Sequence, residues 1–177
     1  MKLLILDRDG VINEDSDAFI KNPDEWHPLP GAAAAIARLS KAGYRIAIAT
    51  NQSGIARGLF DLDTLAAIHA KLHQAINEAG GRIDAIFFCP HAADSNCECR
   101  KPRPGMIFDI LRRFGADPQE TAVVGDSLRD LQAAHAAGCR SILVLTGKGT
   151  RTLQAGKLPP GTTIRVDLGA IAAELAA

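Results

Sequence analysis

The sequence is poor in the features that mark a specialised chain. Its 177 residues hold one Trp, one Tyr and two Met, and 20 Lys and Arg balance 20 Asp and Glu to a formal net charge of +0. A protein that grips nucleic acid by its phosphates shows a basic excess, so no nucleic-acid partner is expected. No apolar run approaches the roughly 20 residues that cross a bilayer, so no membrane partner is expected either. Met1 to Asp9 carry charges where a secretory signal needs an apolar stretch, and no small-residue cleavage site follows. A cytoplasmic protein, working as a monomer, is the reading. The remaining composition, 47% hydrophobic and 23% charged, suits a globular chain and excludes a disordered tail, a collagen or a coiled coil. A chain of this length buries roughly 70% of its unfolded surface and is read as a single domain, residues 1–177.

The order of elements points to an α/β fold. "KLLILD" is a short apolar run, suited to a strand buried on both faces. "SKAGYRIAIAT", "NEAGGRIDAIFF" and "HAAGCRSILVL" each end a helical stretch in Ala-Gly before an apolar run, so Gly43, Gly80 and Gly138 are placed at helix C-termini. Asp117-Pro118-Gln119-Glu120 carries the marks of a helical N-terminus: a capping Asp, Pro at the first position and an acid at the third. Strands are predicted near Leu3–Leu6, Arg45–Thr50, Ala85–Cys89, Ala122–Gly125, Ser141–Leu145 and Thr163–Val166, with a last helix over Leu168–Leu175. This alternation predicts a Rossmann-like, mostly parallel sheet with helices on both faces. Ligands then bind beyond the carboxyl ends of the strands.

Those ends are unusually acidic. Asp7 and Asp9 follow the first strand, and two close carboxylates tolerate each other with a cation between them or a proton on one. Asp126 and Asp130 follow the fourth, bracketing the first turn of the next helix. Each Asp alone is an ordinary turn or cap residue; acids at two strand ends of one sheet are not explained so easily. Hard oxygen donors without histidine suit Mg²⁺. Thr50, Asn51, Gln52 and Ser53 follow the second strand, then Gly54, Arg57 and Gly58, a set suited to an anion, although alone it is only a polar loop. Arg100 and Lys101 open a basic loop, and Lys101 opposite the acids would meet a phosphoryl group. Just before them, Cys89, His91, Cys97 and Cys99 offer three thiolates and an imidazole, enough for a closed tetrahedral Zn²⁺ site with no position left for a substrate. Clustered thiols in a cytosolic chain favour metal over disulfides. Cys139 stands apart and reads as a small buried hydrophobe.

"LDRDGVIN", "TNQSG", "CRKP" and "GDSLRD", in that order, resemble the four motifs of the haloacid-dehalogenase-like (HAD-like) phosphohydrolases, and the likeness runs from Leu3 to about Leu145. The pair "CPH…CECRKPRPGM" and "TNQSGIARG" resembles, within that family, the branch that removes the C7 phosphate of D-glycero-D-manno-heptose 1,7-bisphosphate; histidinol-phosphate phosphatases are the alternative. The resemblance implies a hydrolase of a small phosphorylated sugar, with Asp7 as nucleophile, Asp9 as general acid and base, and Thr50 and Lys101 on the phosphoryl oxygens. It places catalytic Mg²⁺ among Asp7, the carbonyl of Asp9 and Asp126, with Asp130 orienting Lys101 or a metal-bound water, and structural Zn²⁺ in the cysteine loop. It also implies a capless enzyme whose substrate meets Asp15, Ser16, Asp17 and Ala18, Asn51 to Ser53, Arg57, and Arg100, and a product used in lipopolysaccharide or S-layer glycan synthesis. A receiver domain fits the sheet but carries its acceptor after the third strand, here Cys89. A zinc-stabilised binding module that has lost catalysis would not keep the full set of acids.

Overall fold

Why the central strands sit where they do follows from two-sided burial. In the computed structural model, which describes all 177 residues, the six strands are β1 (Leu3–Leu6), β2 (Arg45–Asn51), β3 (Ala85–Cys89), β4 (Ala122–Gly125), β5 (Arg140–Val144) and β6 (Thr163–Arg165). They form one sheet in the order β3-β2-β1-β4-β5-β6, and every neighbouring pair is parallel. β1, in the middle, is buried along its whole length. Its side chains alternate between faces, as strand geometry demands. Leu4 and Leu6 pack with Ile36 and Leu39 of α1 (Ala32–Lys41), Ile68 and Leu72 of α2 (Leu62–Glu78), and Ile171 of α6 (Leu168–Leu175). Leu3 and Ile5 pack on the other face against Ile107 and Ile110 of α3 (Gly105–Phe114) and Ala133 and Ala134 of α4 (Leu128–Ala136). Burying a Leu or Ile side chain fully contributes about 1.5–3 kcal/mol, so a charge anywhere in β1 before its last turn would be costly.

The local signals hold with small shifts. Gly43, Gly80 and Gly138 all have left-handed backbone and follow the helix caps Ala42, Ala79 and Ala137. Asp117 caps as expected, accepting from the amide of Gln119 at 2.9 Å, but the helix it starts is a single 3₁₀ turn, Pro118–Glu120, because β4 begins two residues later. α5 (Gly149–Ala155) fills the β5–β6 connection. No inserted domain lies over the carboxyl ends of the strands, and no helix is long and apolar enough to cross a membrane.

Candidate active site

Because all six strands run the same way, their carboxyl ends open on one edge, and there the chain turns polar. Asp7 follows β1, its amide still donating to the Val124 carbonyl at 2.9 Å. Its Oδ1 accepts from the Arg8 amide at 2.8 Å and from Lys101 Nζ at 2.9 Å, while no protein donor reaches Oδ2. Lys101 is buried, with its Nζ also 2.7 Å from Asp130 Oδ1 and donating to the Ala49 carbonyl at 2.6 Å. Burial works against the charged amine, but Asp130 and Asp7 outweigh it and raise its pKa. The second oxygen of Asp130 accepts from the amide and hydroxyl of Ser127, which closes the capping box of α4. Both Asp130 oxygens are thus spent within the protein.

Asp126 is different. It is 2% exposed and receives one donor, the Lys148 amide at 2.7 Å, on Oδ2. Two glycines make the room: a Cβ on Gly10 would lie 2.0 Å from this oxygen, and one on Gly147, 2.2 Å. Burial first, then the charge of Asp7, pushes the Asp126 carboxyl up to about 8. Burial and Asp130 likewise push Asp7 up to about 7, against the pull of Lys101. Asp7, Asp126 and Asp130 have carboxylate oxygens within 4.8 Å of one another. The free oxygens of Asp7 and Asp126 therefore fit a divalent cation, which would offset the burial and the mutual repulsion that raise both groups; hard carboxylate donors suit Mg²⁺.

The thiol cluster fits a different ion. Cys89 Sγ lies 3.4 Å from His91 Nδ1, 3.7 Å from Cys97 Sγ and 3.1 Å from Cys99 Sγ, and His91 Nδ1 lies 3.3 Å from Cys99 Sγ. Tetrahedral zinc with bonds of about 2.0–2.3 Å puts its donors roughly 3.5–3.8 Å apart. All four cysteines of the chain are free. Burial and the neighbouring thiols push Cys99 up to about 12, whereas, against its burial, the Arg100 amide and the Ser95 hydroxyl draw Cys97 down to about 6; a bound cation would hold all three sulfurs as thiolates.

The pocket over the carboxylates has a volume of ≈ 260 Å³. Asp7, Asp9, Asp15, Ser16, Asp17, Thr50, Asn51, Gln52, Ser53, Arg57, Arg100, Lys101, Asp126 and Asp130 line it; Ala18 does not. Asn51 faces it but spends its amide on the main chain of Lys101, accepting from the N–H and donating to the C=O, both at 3.0 Å. Five lining residues are new: Phe19, Ile20, Ser127, Arg129 and Lys148. Lys148 also pairs with Asp15 at 3.1 Å, tying the loop after β5 to the loop after β1. Arg57 lies over the Phe19 ring, 5.4 Å from its centre. Phe19 is the one non-glycine residue with left-handed backbone, a signal that sequence pattern does not carry.

An open α/β edge with this set of acids and one buried lysine belongs to a particular kind of enzyme. A family described as HAD-hydrolase-like matches residues 98–170, and full-length relatives extend the match across the chain, which belongs to the HAD-like hydrolases and acts on phosphoric monoesters. The relatives are narrower in kind. The chain is 59% identical to the D-glycero-beta-D-manno-heptose-1,7-bisphosphate 7-phosphatase of Bordetella bronchiseptica, over 99% of this chain and 98% of that one. It is 56% identical to the enzyme of the same name from Pseudomonas aeruginosa, over 98% and 97%. Among solved structures it matches the D,D-heptose 1,7-bisphosphate phosphatase of B. bronchiseptica, complexed with magnesium and phosphate, with a TM-score of 0.97 at 59% identity, covering 99% of this chain and 98% of that one.

Proposed function

We propose that this chain, acting as one domain, removes the C7 phosphate of D-glycero-β-D-manno-heptose 1,7-bisphosphate and releases heptose 1-phosphate. The observation that carries the substrate is the 59% identity over almost the whole length to a relative of that name. The pocket agrees with a bisphosphate: beyond Lys101 it is lined by Arg57, Arg100, Arg129 and Lys148, more cations than one phosphate needs. The reading carries with it a cytoplasmic monomer that uses neither nucleic acid nor membrane.

In this reading Asp7 attacks phosphorus in line and becomes an aspartyl-phosphate. Its charge already faces Lys101, which with Thr50 holds the transferring oxygens. Asp9 protonates the departing C7 oxygen, then takes a proton from the water that cleaves the acyl-phosphate. Asp7, Asp126 and the Asp9 carbonyl would hold Mg²⁺, and Asp130 keeps Lys101 in place. Bound there, the ion would offset repulsion between carboxylate and phosphate, about 4 kcal/mol per unit-charge pair at ~4 Å and an effective dielectric of 20. Cys89, His91, Cys97 and Cys99 would hold a structural Zn²⁺ that takes no part in the reaction.

Phosphate release is measured with Mg²⁺ on both anomers of the heptose bisphosphate, histidinol phosphate and fructose 1,6-bisphosphate. The β-heptose bisphosphate should have the highest kcat/KM. A higher value on histidinol phosphate would overturn the substrate while leaving the phosphatase.

A further inference from the structure

The residue between the two motif carboxylates is not a spacer. Arg8 is 0% exposed and does not line the pocket, although both its neighbours in sequence, Asp7 and Asp9, do. Its Nε donates to Asp9 Oδ1 at 2.9 Å, and its Nη2 lies 2.9 Å from Oδ1 and 3.2 Å from Oδ2. Its Nη1 meets His69 Nε2 at 3.2 Å. His69, on α2, is buried in turn, and burial together with the Arg8 charge holds its ring well below the usual range, at about 4. A guanidinium can only donate, so Nε2 of the neutral ring accepts a hydrogen bond from the Arg8 N–H and Nδ1 carries the ring hydrogen. The Arg8 carbonyl meanwhile accepts from the amides of Val11, Ile12 and Asn13, and so builds the turn that carries Asp9.

We propose that Arg8, braced from behind by His69, is the positioning residue of Asp9. The inference rests on the reading of Asp9 as the acid that protonates the leaving oxygen. The contacts divide the Asp9 carboxyl into two unlike oxygens. Oδ1 is anchored, with the Arg8 donors at 2.9 Å and Asn13 Nδ2 at 2.8 Å. Oδ2 is held more loosely, by Arg8 at 3.2 Å and by Gln52 Nε2 at 3.3 Å. In the reading of Asp9 as the acid, Oδ2 is the oxygen that passes a proton to the C7 oxygen as the P–O bond breaks and recovers one from the attacking water. A guanidinium fork fixes a carboxylate plane in a way that a lysine cannot. His69 gives the third branch of the fork a partner, without which a buried N–H would be stranded.

The test separates positioning from mere packing by the leaving group. A sugar alkoxide needs a proton to depart, whereas p-nitrophenolate does not. In kcat/KM, only steps up to departure of the leaving group count, so later use of Asp9 as a base does not enter. With Mg²⁺ present, Asp9→Asn sets the scale, with a loss of about 10²–10⁴-fold on heptose bisphosphate and a far smaller one on p-nitrophenyl phosphate. Arg8→Met should lose ~10²-fold on the sugar ester and less than ~10-fold on the aryl ester, with Arg8→Lys between it and wild type. His69→Leu should show the same selectivity at ~10-fold, and it carries the test if Arg8→Met does not fold. Equal losses on both esters, or none, in the folded Arg8 and His69 variants would overturn the proposal while Asp9→Asn still discriminates. If Asp9→Asn fails to discriminate, the acid itself is misassigned and the proposal falls with it.

Discussion

The Asp7–Asp126 pair and the cluster from Cys89 to Cys99 each gather donors for one cation, by opposite means. The carboxylates sit at the ends of β1 and β4, so the register of the sheet sets their separation. Cys89 sits on β3, but Cys97 and Cys99 sit on the loop after it, outside the sheet, where a bound ion rather than strand register would set the separation of the donors. Asp7 and Asp126 leave oxygens without protein donors, open toward a pocket; the four Cys and His donors close on one another. The difference teaches where catalysis belongs: an ion held by the frame with positions to spare can meet substrate, whereas a fully ligated ion can only brace.

The comparison can be broken in several ways. The largest expected effect is Asp7→Asn, which keeps shape and removes the nucleophile: phosphate release should fall below detection while the circular dichroism stays native. Turnover near wild type would remove Asp7 from the reaction. Next is Lys101→Met. It strands Asp7 and Asp130 without their buried counter-charge, and urea unfolding should show a loss of about 3–5 kcal/mol. Metal analysis of the purified protein should find one Zn per chain. Cys97→Ser and Cys99→Ser should lose that zinc and also activity, which added Mg²⁺ should not restore. A loss of ~3 kcal/mol would lower the melting temperature by about 6–12 °C, at ~2–4 °C per kcal/mol. Full activity and unchanged melting without zinc would reduce the cluster to a coincidence of spacing.

Two smaller effects sharpen the contrast. Asp7 and Asp126 are held up at about 7 and about 8, well above the ordinary carboxylate range. Between pH ~4 and ~8 the native chain, free of divalent metal, keeps protons that the unfolded chain has shed, so its stability should fall as pH rises, by up to ~1.4 kcal/mol per pH unit and proton. Magnesium takes the place of those protons, and melting curves recorded with it should flatten against pH. A flat profile without metal would mean that the carboxylates are not short of a cation. Last, Arg100→Ala should lower kcat/KM on the heptose bisphosphate more than on an aryl phosphate, since Arg100 lines the pocket without pairing with Asp7 and donates to the His91 carbonyl instead. Equal losses would take it out of substrate recognition.

Much of this was legible from residue order. Apolar runs bounded by Ala-Gly located the strands, and parallel strands put Asp7, Thr50 and Asp126 on one edge. β5 came out one residue early, at Arg140–Val144, because Arg140 reaches solvent while its backbone still pairs with Ala122. Lys148 was not legible: it follows β5 in "LTGKG", with no partner close in sequence, and its role depends on Asp15 and Asp126 arriving from other loops. Phe19 was hidden for a similar reason, since a backbone angle leaves no mark on composition. Arg8 left a faint one: a base between two acids, at the end of a run already read as buried.

Asn51 joins the two ends of the zinc loop to a single point. Its backbone pairs in register with Cys89, where the loop leaves β3, and its side chain treats Lys101 as a neighbouring strand would, giving one hydrogen bond and taking one. The loop is thus a module with its base already stitched shut. Residues between Cys89 and Lys101 can then vary in number and kind so long as some brace, here the four Cys and His donors, keeps the loop from pulling on that base. Evolution, or an engineer, can trade the zinc brace for another one while the chemistry beneath it stays in place.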